Sequence, residues 1–200
     1  MKNYLCINGK KTELTDEQLK QLGIENEPKA ILSKDGKTAK IGEYEFIVLK
    51  RNEDTVELLL KDVIEKRTFD SDSNNFAKSE IREELNKFAD KLIALVGKDN
   101  IVEHTVDLTT MDGLKDYGSC NCFVSLLTFD KARENIELLD EFKLDCYWWL
   151  ATAWSTPKHD IKYLVLCVSP NGNIDYDNGF NYNYGVRPFC ILKSNIFVSK

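Results

Sequence analysis

Two observations predict an α+β fold in which strands outnumber helices. One helical stripe stands mid-chain: Ile81, Leu85, Phe88, Leu92 and Leu95 recur at intervals of four and three and stop at Gly97. Around it lie short apolar runs bounded by Gly, Asn and Asp turns, from Ala39 to Leu60 and again from Tyr147 to Leu192. No segment repeats at a fixed period, which sets solenoids and propellers aside.

The elements follow in order. Tyr4-Leu5-Cys6-Ile7 and Lys11 to Leu14 flank an Asn8-Gly9 turn and read as a hairpin. Thr15 with Gln18 forms a capping box, so a helix is expected from there to about Gly23. Residues 1–37 are read as a hairpin-plus-helix appendage and residues 38–200 as the main domain. In that domain Ala39 to Lys50 and Val56 to Leu60 are expected strands. Tyr44, Phe46 and Val48 alternate with Glu45, Ile47 and Leu49, a strand covered on both faces. Asp70-Ser71-Asp72-Ser73-Asn74 has the look of a calcium loop but lacks the Gly and Glu such a loop needs, so a flexible loop is expected. After the helix come a strand at Ile101 to Val106, a loop at Met111 to Ser119 and a buried run at Cys122 to Leu127. A helix follows from Thr128 to about Leu139. Three apolar strands close the chain: Tyr147 to Leu150, Tyr163 to Val168 and Val186 to Leu192.

Composition narrows the function classes. The chain has 200 residues, 42% apolar and 30% charged, which suits one globular domain. Its formal charge of −6 excludes a non-specific nucleic-acid binder, whose affinity rests on Lys and Arg. The acidity belongs to residues 38–150, while the last fifty residues are slightly basic. The opening residues lack the apolar core of a signal peptide, and Leu164 to Val168 is too short to span a bilayer, so no membrane insertion is expected. Six cysteines are read as free thiols, with Cys146, Cys167 and Cys190 in the core and Cys120 and Cys122 as an isolated C-x-C.

Candidate chemistry is sparse. His104 and His159 are the only histidines and show no metal-ligand spacing, so hydrogen-bonded side chains are expected and no metal or cofactor. The acidic run from Glu134 to Asp145 is spaced like a solvated helix face. The informative stretch is Tyr147 to Leu192. Adjacent strand residues face opposite sides, so Trp148 is expected in the core and Trp149 in a surface cleft. Ten of the fourteen residues from Asn171 to Tyr184 are Asn, Asp or Tyr, the composition of binding loops. The expected contact residues are Trp149, Trp154, Tyr176, Asn178, Asn181, Tyr182, Asn183 and Tyr184.

Trp148-Trp149-Leu150, Asn171-Gly172-Asn173 and Gly185-Val186-Arg187-Pro188 together resemble an uncharacterised bacterial and phage domain family. In that family a WWLRSP-like box, a turn and a GVRP box recur in this order. Ile41 to Leu49 and Cys122 to Ser125 resemble its opening strand and a later apolar segment. The family is similar to the C-type-lectin-like fold of formylglycine-generating enzymes and of retroelement-diversified proteins. The resemblance implies an irregular domain with a twisted antiparallel sheet and one or two helices. It also implies Trp148, Gly185, Arg187 and Pro188 as framework, with Arg187 pairing a buried carboxylate. Ala151-Thr152-Ala153 replaces the usual Arg-Ser-Pro, and no match exists for the paired catalytic cysteines or the lectin calcium motifs. The leading expectation is a non-catalytic binding module of a phage or prophage particle. Its partner would be a protein or glycan on a host surface, or another virion subunit, with the chain located in the virion or the bacterial cytoplasm. A structural subunit of a phage particle is the alternative. A cysteine-dependent enzyme using Cys120 or Cys122 with His104 or His159 is the third.

Overall fold

A computed structural model describes residues 4–7, 10–15, 18 and 30–199. It shows a mixed α+β chain, mostly sheet, with few helices. Strands β1 (Tyr4–Ile7) and β2 (Lys10–Glu13) form the expected antiparallel hairpin, and the capping box is made in both directions: Thr15 N donates to Gln18 Oε1 and Gln18 N to Thr15 Oγ1. The Asn8-Gly9 turn and the helix expected to run to about Gly23 lie outside the described residues.

From there the chain builds a large sheet. β3 (Ala30–Leu32) pairs with β4 (Thr38–Ile41), then β5 (Tyr44–Arg51) and β6 (Thr55–Leu60) follow antiparallel. The single strand expected from Ala39 to Lys50 is therefore two. Gly42, at φ +56°, turns the chain so that Ile41 faces Tyr44 across a hairpin. β7 (Glu65–Arg67) begins a second sheet. α1 (Glu80–Val96) lays Ile81, Leu85, Phe88, Ala89, Leu92 and Val96 into the core. Leu95 is 43% exposed, not part of that stripe, and its side chain caps the Gly42 turn.

The polar loop before α1 is tied down. Asp70 is buried; its Oδ1 accepts from the N–H groups of Asp72 and Ser73 and its Oδ2 from Glu80 N at 2.8 Å. It satisfies a donor of the first helical turn from outside the helix, while Ser79 makes no side-chain cap.

β8 (Ile101–Val102) adds to the large sheet, and β9 (His104–Asp107) pairs with β10 (Ser119–Cys122) as a separate ribbon, so the strand expected over residues 101–106 is interrupted. β11 (Val124–Ser125) precedes two short helices, α2 (Phe129–Glu134) and α3 (Ile136–Glu141), broken at Asn135. The remaining strands are β12 (Trp148–Ala153), β13 (Leu164–Val168), β14 (Ile174–Asn178), β15 (Tyr184–Val186), β16 (Phe189–Lys193) and β17 (Phe197–Ser199). The large sheet runs β11-β16-β6-β5-β4-β3-β17, and the second runs β14-β13-β12-β15-β7.

The strand expected from Val186 to Leu192 is split between the two sheets. Gly185 and Val186 pair with Lys66 and Glu65 in one, and Phe189 pairs with Leu59 in the other. Arg187 and Pro188 carry the chain across. Pro suits the break because it cannot donate to a ladder. Arg187, 1% exposed, holds it: Nε donates to Leu60 O at 2.8 Å and Nη2 to Lys61 O at 3.0 Å and Phe142 O at 3.3 Å. The expected carboxylate partner is replaced by these carbonyls. The guanidinium also lies over the Trp148 ring at 5.0 Å, and burial brings it down to about 10, still charged at neutral pH.

Candidate functional site

The C-terminal aromatic region is organised by β12, whose six residues are all buried. Trp148 and Trp149 do point to opposite faces, but both faces are covered. Trp148 packs with Leu59, Leu139, Leu166 and Phe189, and Trp149 with Phe69 and Val186 in the main core. Trp149 is 0% exposed and its indole N–H donates to Arg67 O at 3.0 Å. It does not line a cleft. It forms the floor under Tyr184, whose ring lies 4.6 Å away.

The segment expected as one binding loop contains strand β14, and that strand sorts its side chains by period 2. Tyr176 pairs with Leu166, while Asp175 and Asp177 pair with Cys167 and Val165 on the other face. Two aromatic groups result. On the first face Tyr176, 45% exposed, packs on Trp154 at 4.3 Å. On the second, Tyr147, Tyr184 and Tyr182 form a row of near-parallel rings, at 4.8 Å and 5.7 Å between centroids. Tyr182, at the open end, is 48% exposed. The Tyr184 hydroxyl donates to Asp177 Oδ2 at 2.6 Å, and burial, followed by that carboxylate, pushes its ionisation up.

The amides divide likewise. Asn181 and Asn183 are exposed beside Tyr182, whereas Asn178 Oδ1 accepts from Phe180 N and shapes the turn. Gly185 approaches so closely that a Cβ there would lie 2.4 Å from Val63 Cγ1 and 3.2 Å from Trp148 Cβ. This close approach, rather than backbone conformation, demands glycine.

The neighbouring loops are stitched by polar groups, among them Ser155 and Asp112, which the sequence did not single out, and His159, which it expected to be hydrogen-bonded. Buried Asn74 donates to Ser155 O and Leu164 O and accepts from the Tyr117 hydroxyl. Ser155 Oγ donates to Asp112 Oδ2 at 2.7 Å, and His159 Nδ1 lies 3.0 Å from the same oxygen. Burial pushes the Asp112 carboxyl up, but hydrogen bonds from Ser155, Thr110 and His159 outweigh it and bring it to about 2. A nucleophilic Ser–His–Asp set places the imidazole between hydroxyl and carboxylate, one ring nitrogen to each. Here one nitrogen faces both and the serine proton goes to aspartate, so the cluster joins loops and does not activate Ser155. His104 is likewise engaged, Nε2 to Ser125 Oγ at 2.9 Å. Among the described residues, neither imidazole is hydrogen-bonded to a cysteine sulfur. No group of three or more His, Cys, Asp or Glu among those residues could hold a metal ion. Cys167 and Cys190 are buried as expected, but Cys146 is only half-buried.

A cleft of about 1020 Å³ opens between α1, the β4–β5 turn and residues 141–145. Its walls carry seven acidic residues against four lysines, of which Lys61 and Lys87 are paired with Glu45 and Glu84, so the lining is mixed but net acidic.

Residues 114–194 match a family described as a domain of unknown function, DUF6273. That stretch spans β10 to β16, and so includes both the tryptophan pair and the Gly-Val-Arg-Pro crossing. The matched segment is thus similar to an uncharacterised domain family. No curated protein and no solved structure matches the chain. No helix among the described residues is long and apolar enough to cross a membrane.

Proposed function

We propose that the chain is a non-catalytic binding module whose contact surface is the row Tyr147–Tyr184–Tyr182 with Asp175, Asn181 and Asn183 beside it. The observation that carries this reading is the row itself. Three tyrosine rings stack in a row whose middle ring, Tyr184, rests tilted against a fully buried tryptophan, and the end ring Tyr182 is half open to solvent. Aromatic rings held on or beside a sheet, with Tyr184 in β15 and Tyr147 and Tyr182 close to its strands, give large contact area at small entropic cost, and nearby carboxylate and amide groups supply orientation. Flat ring faces next to hydroxyl acceptors and amides suit a glycan. A phage or prophage particle and a host-surface partner are the setting we infer from the order of the sequence boxes. A C-type-lectin-like fold fits the two large sheets, the few helices and the long loops at 108–118 and 154–163.

The test is a glycan array probed with the wild-type chain, Tyr182→Ala and Tyr176→Ala. Tyr182→Ala should lose roughly tenfold or more in binding, as expected for a central aromatic contact. Tyr176→Ala, on the opposite face, should bind like wild type. Equal binding by wild type and Tyr182→Ala, or no glycan captured by wild type, would overturn the reading.

A further inference from the structure

β10 presents Cys120 and Cys122 on one face, because residues two apart on a strand share a side. Their Sγ atoms are 3.8 Å apart. Cys120 is partly open to solvent and Cys122 is buried. β10 belongs to a two-stranded ribbon and not to either large sheet, so its backbone has more room to adjust.

Arg82 reaches the same place from α1. Its Nη1 donates to Ala77 O at 2.6 Å, and its Nη2 donates to the carbonyl of Asn121, the residue between the two cysteines, at 3.1 Å. Its buried Nε has no hydrogen-bond partner among the described residues. The contact with Cys122 brings the Cys120 thiol down to about 7; burial opposes this and the Arg82 charge adds to it. The same contact, then burial, pushes Cys122 up. The two thiols are thus driven apart in acidity, and Cys120 is the one that ionises first.

We propose that Cys120 and Cys122 form a redox-active dithiol that a hydroperoxide converts into an intrachain disulfide, Cys120 attacking and Cys122 resolving. The Cys120 sulfur attacks the terminal peroxide oxygen. The O–O bond breaks, a sulfenic acid forms on Cys120, and the departing alkoxide takes a proton from solvent. The Cys122 sulfur then attacks the Cys120 sulfur, and the S–O bond breaks. Hydroxide leaves with the Cys122 proton as water. The two cysteines lose two electrons, and the hydroperoxide is reduced to an alcohol and water.

Two strand residues span about 6.6 Å between Cα atoms, near the long end of the range a disulfide bridges. The closed form is therefore strained and readily reopened by thiols, the behaviour of a regulatory rather than a structural bond.

Peptide mapping tests this on the full reduced chain. Trypsin cleavage after Lys115 and Lys131 places these two cysteines, and no other, on one peptide. After stoichiometric hydrogen peroxide and denaturing alkylation with iodoacetamide, that peptide should carry no alkyl group and be lighter by two hydrogens. Dithiothreitol should restore double alkylation. In the native chain at neutral pH, Cys120 should alkylate about tenfold or more faster than Cys122. Cys122→Ser should trap a dimedone adduct on Cys120, and Cys120→Ser none on Cys122. Both cysteines still alkylated after peroxide, or Cys120 recovered joined to Cys6 or Cys146, would overturn the proposal.

Discussion

Arg187→Met is the most informative single change to the framework. Methionine keeps an apolar stem over Trp148 but removes the bonds to the carbonyls of Leu60, Lys61 and Phe142. Those carbonyls come from the end of the large sheet and from the segment after α3, so one side chain ties both to the crossing strand. Each hydrogen bond to a charged donor is worth roughly 1.5–3 kcal/mol. Relief from holding a guanidinium in the dry interior offsets part of the loss. The net cost should be about 3–5 kcal/mol, in line with removing one partner of a buried charged arrangement. For a chain of this length each kcal/mol lowers the melting temperature by about 2–4 °C, so a fall of roughly 10 °C is expected. Arg187→Lys should lie between, since a compact ammonium keeps the charge but cannot span three acceptors. Urea unfolding followed by circular dichroism gives the free energies. Arg187→Met within about 1 kcal/mol of wild type would refute the idea that this guanidinium holds the sheet crossing.

Gly185→Ala should destabilise by roughly 1–3 kcal/mol, because its Cβ would collide with Val63, and Val63→Ala should recover part of that loss. Denaturant melts of the single and double variants check it. Asp112 is held below the ordinary carboxylate range, so its contribution is present above about pH 4 and is lost as pH falls through about 2. Asp112→Asn should remove that acid-sensitive component of stability and expose loops 109–114 and 155–159 to faster hydrogen exchange near neutral pH. Tyr184→Phe keeps the ring stack but leaves Asp177 without its hydroxyl donor. A stability loss of about 1 kcal/mol with the fold intact is expected, read by thermal melting.

The sequence made the elements with strong periodicity legible. The α1 stripe, the helix start at Thr128, where Oγ1 accepts from Lys131 N, and the burial of Trp148 all follow from local pattern. What escaped it depends on partners far along the chain. Trp149 looked exposed because alternation tells which face a residue takes, not whether that face is covered; Phe69, eighty positions earlier, covers it. Ile174 to Asn178 looked like a loop because Asp and Asn disfavour strands, yet pairing with β13 overrides that preference at a sheet edge. The Asn74 and Asp112 networks join residues some forty to ninety positions apart and leave no mark in spacing. The split of Gly185-Val186 from Phe189 between two sheets was hidden for the same reason, although Pro188 marked where a ladder must stop.

The binding surface is tested most directly by hydroxyl-radical footprinting of the wild-type chain, with and without a glycan captured on the array. The account predicts protection of Tyr182, together with Tyr147 and Tyr184, while Tyr176 and Trp154 on the opposite face stay equally reactive. Protection confined to Tyr176 and Trp154, or to the walls of the cleft beside α1, would contradict it.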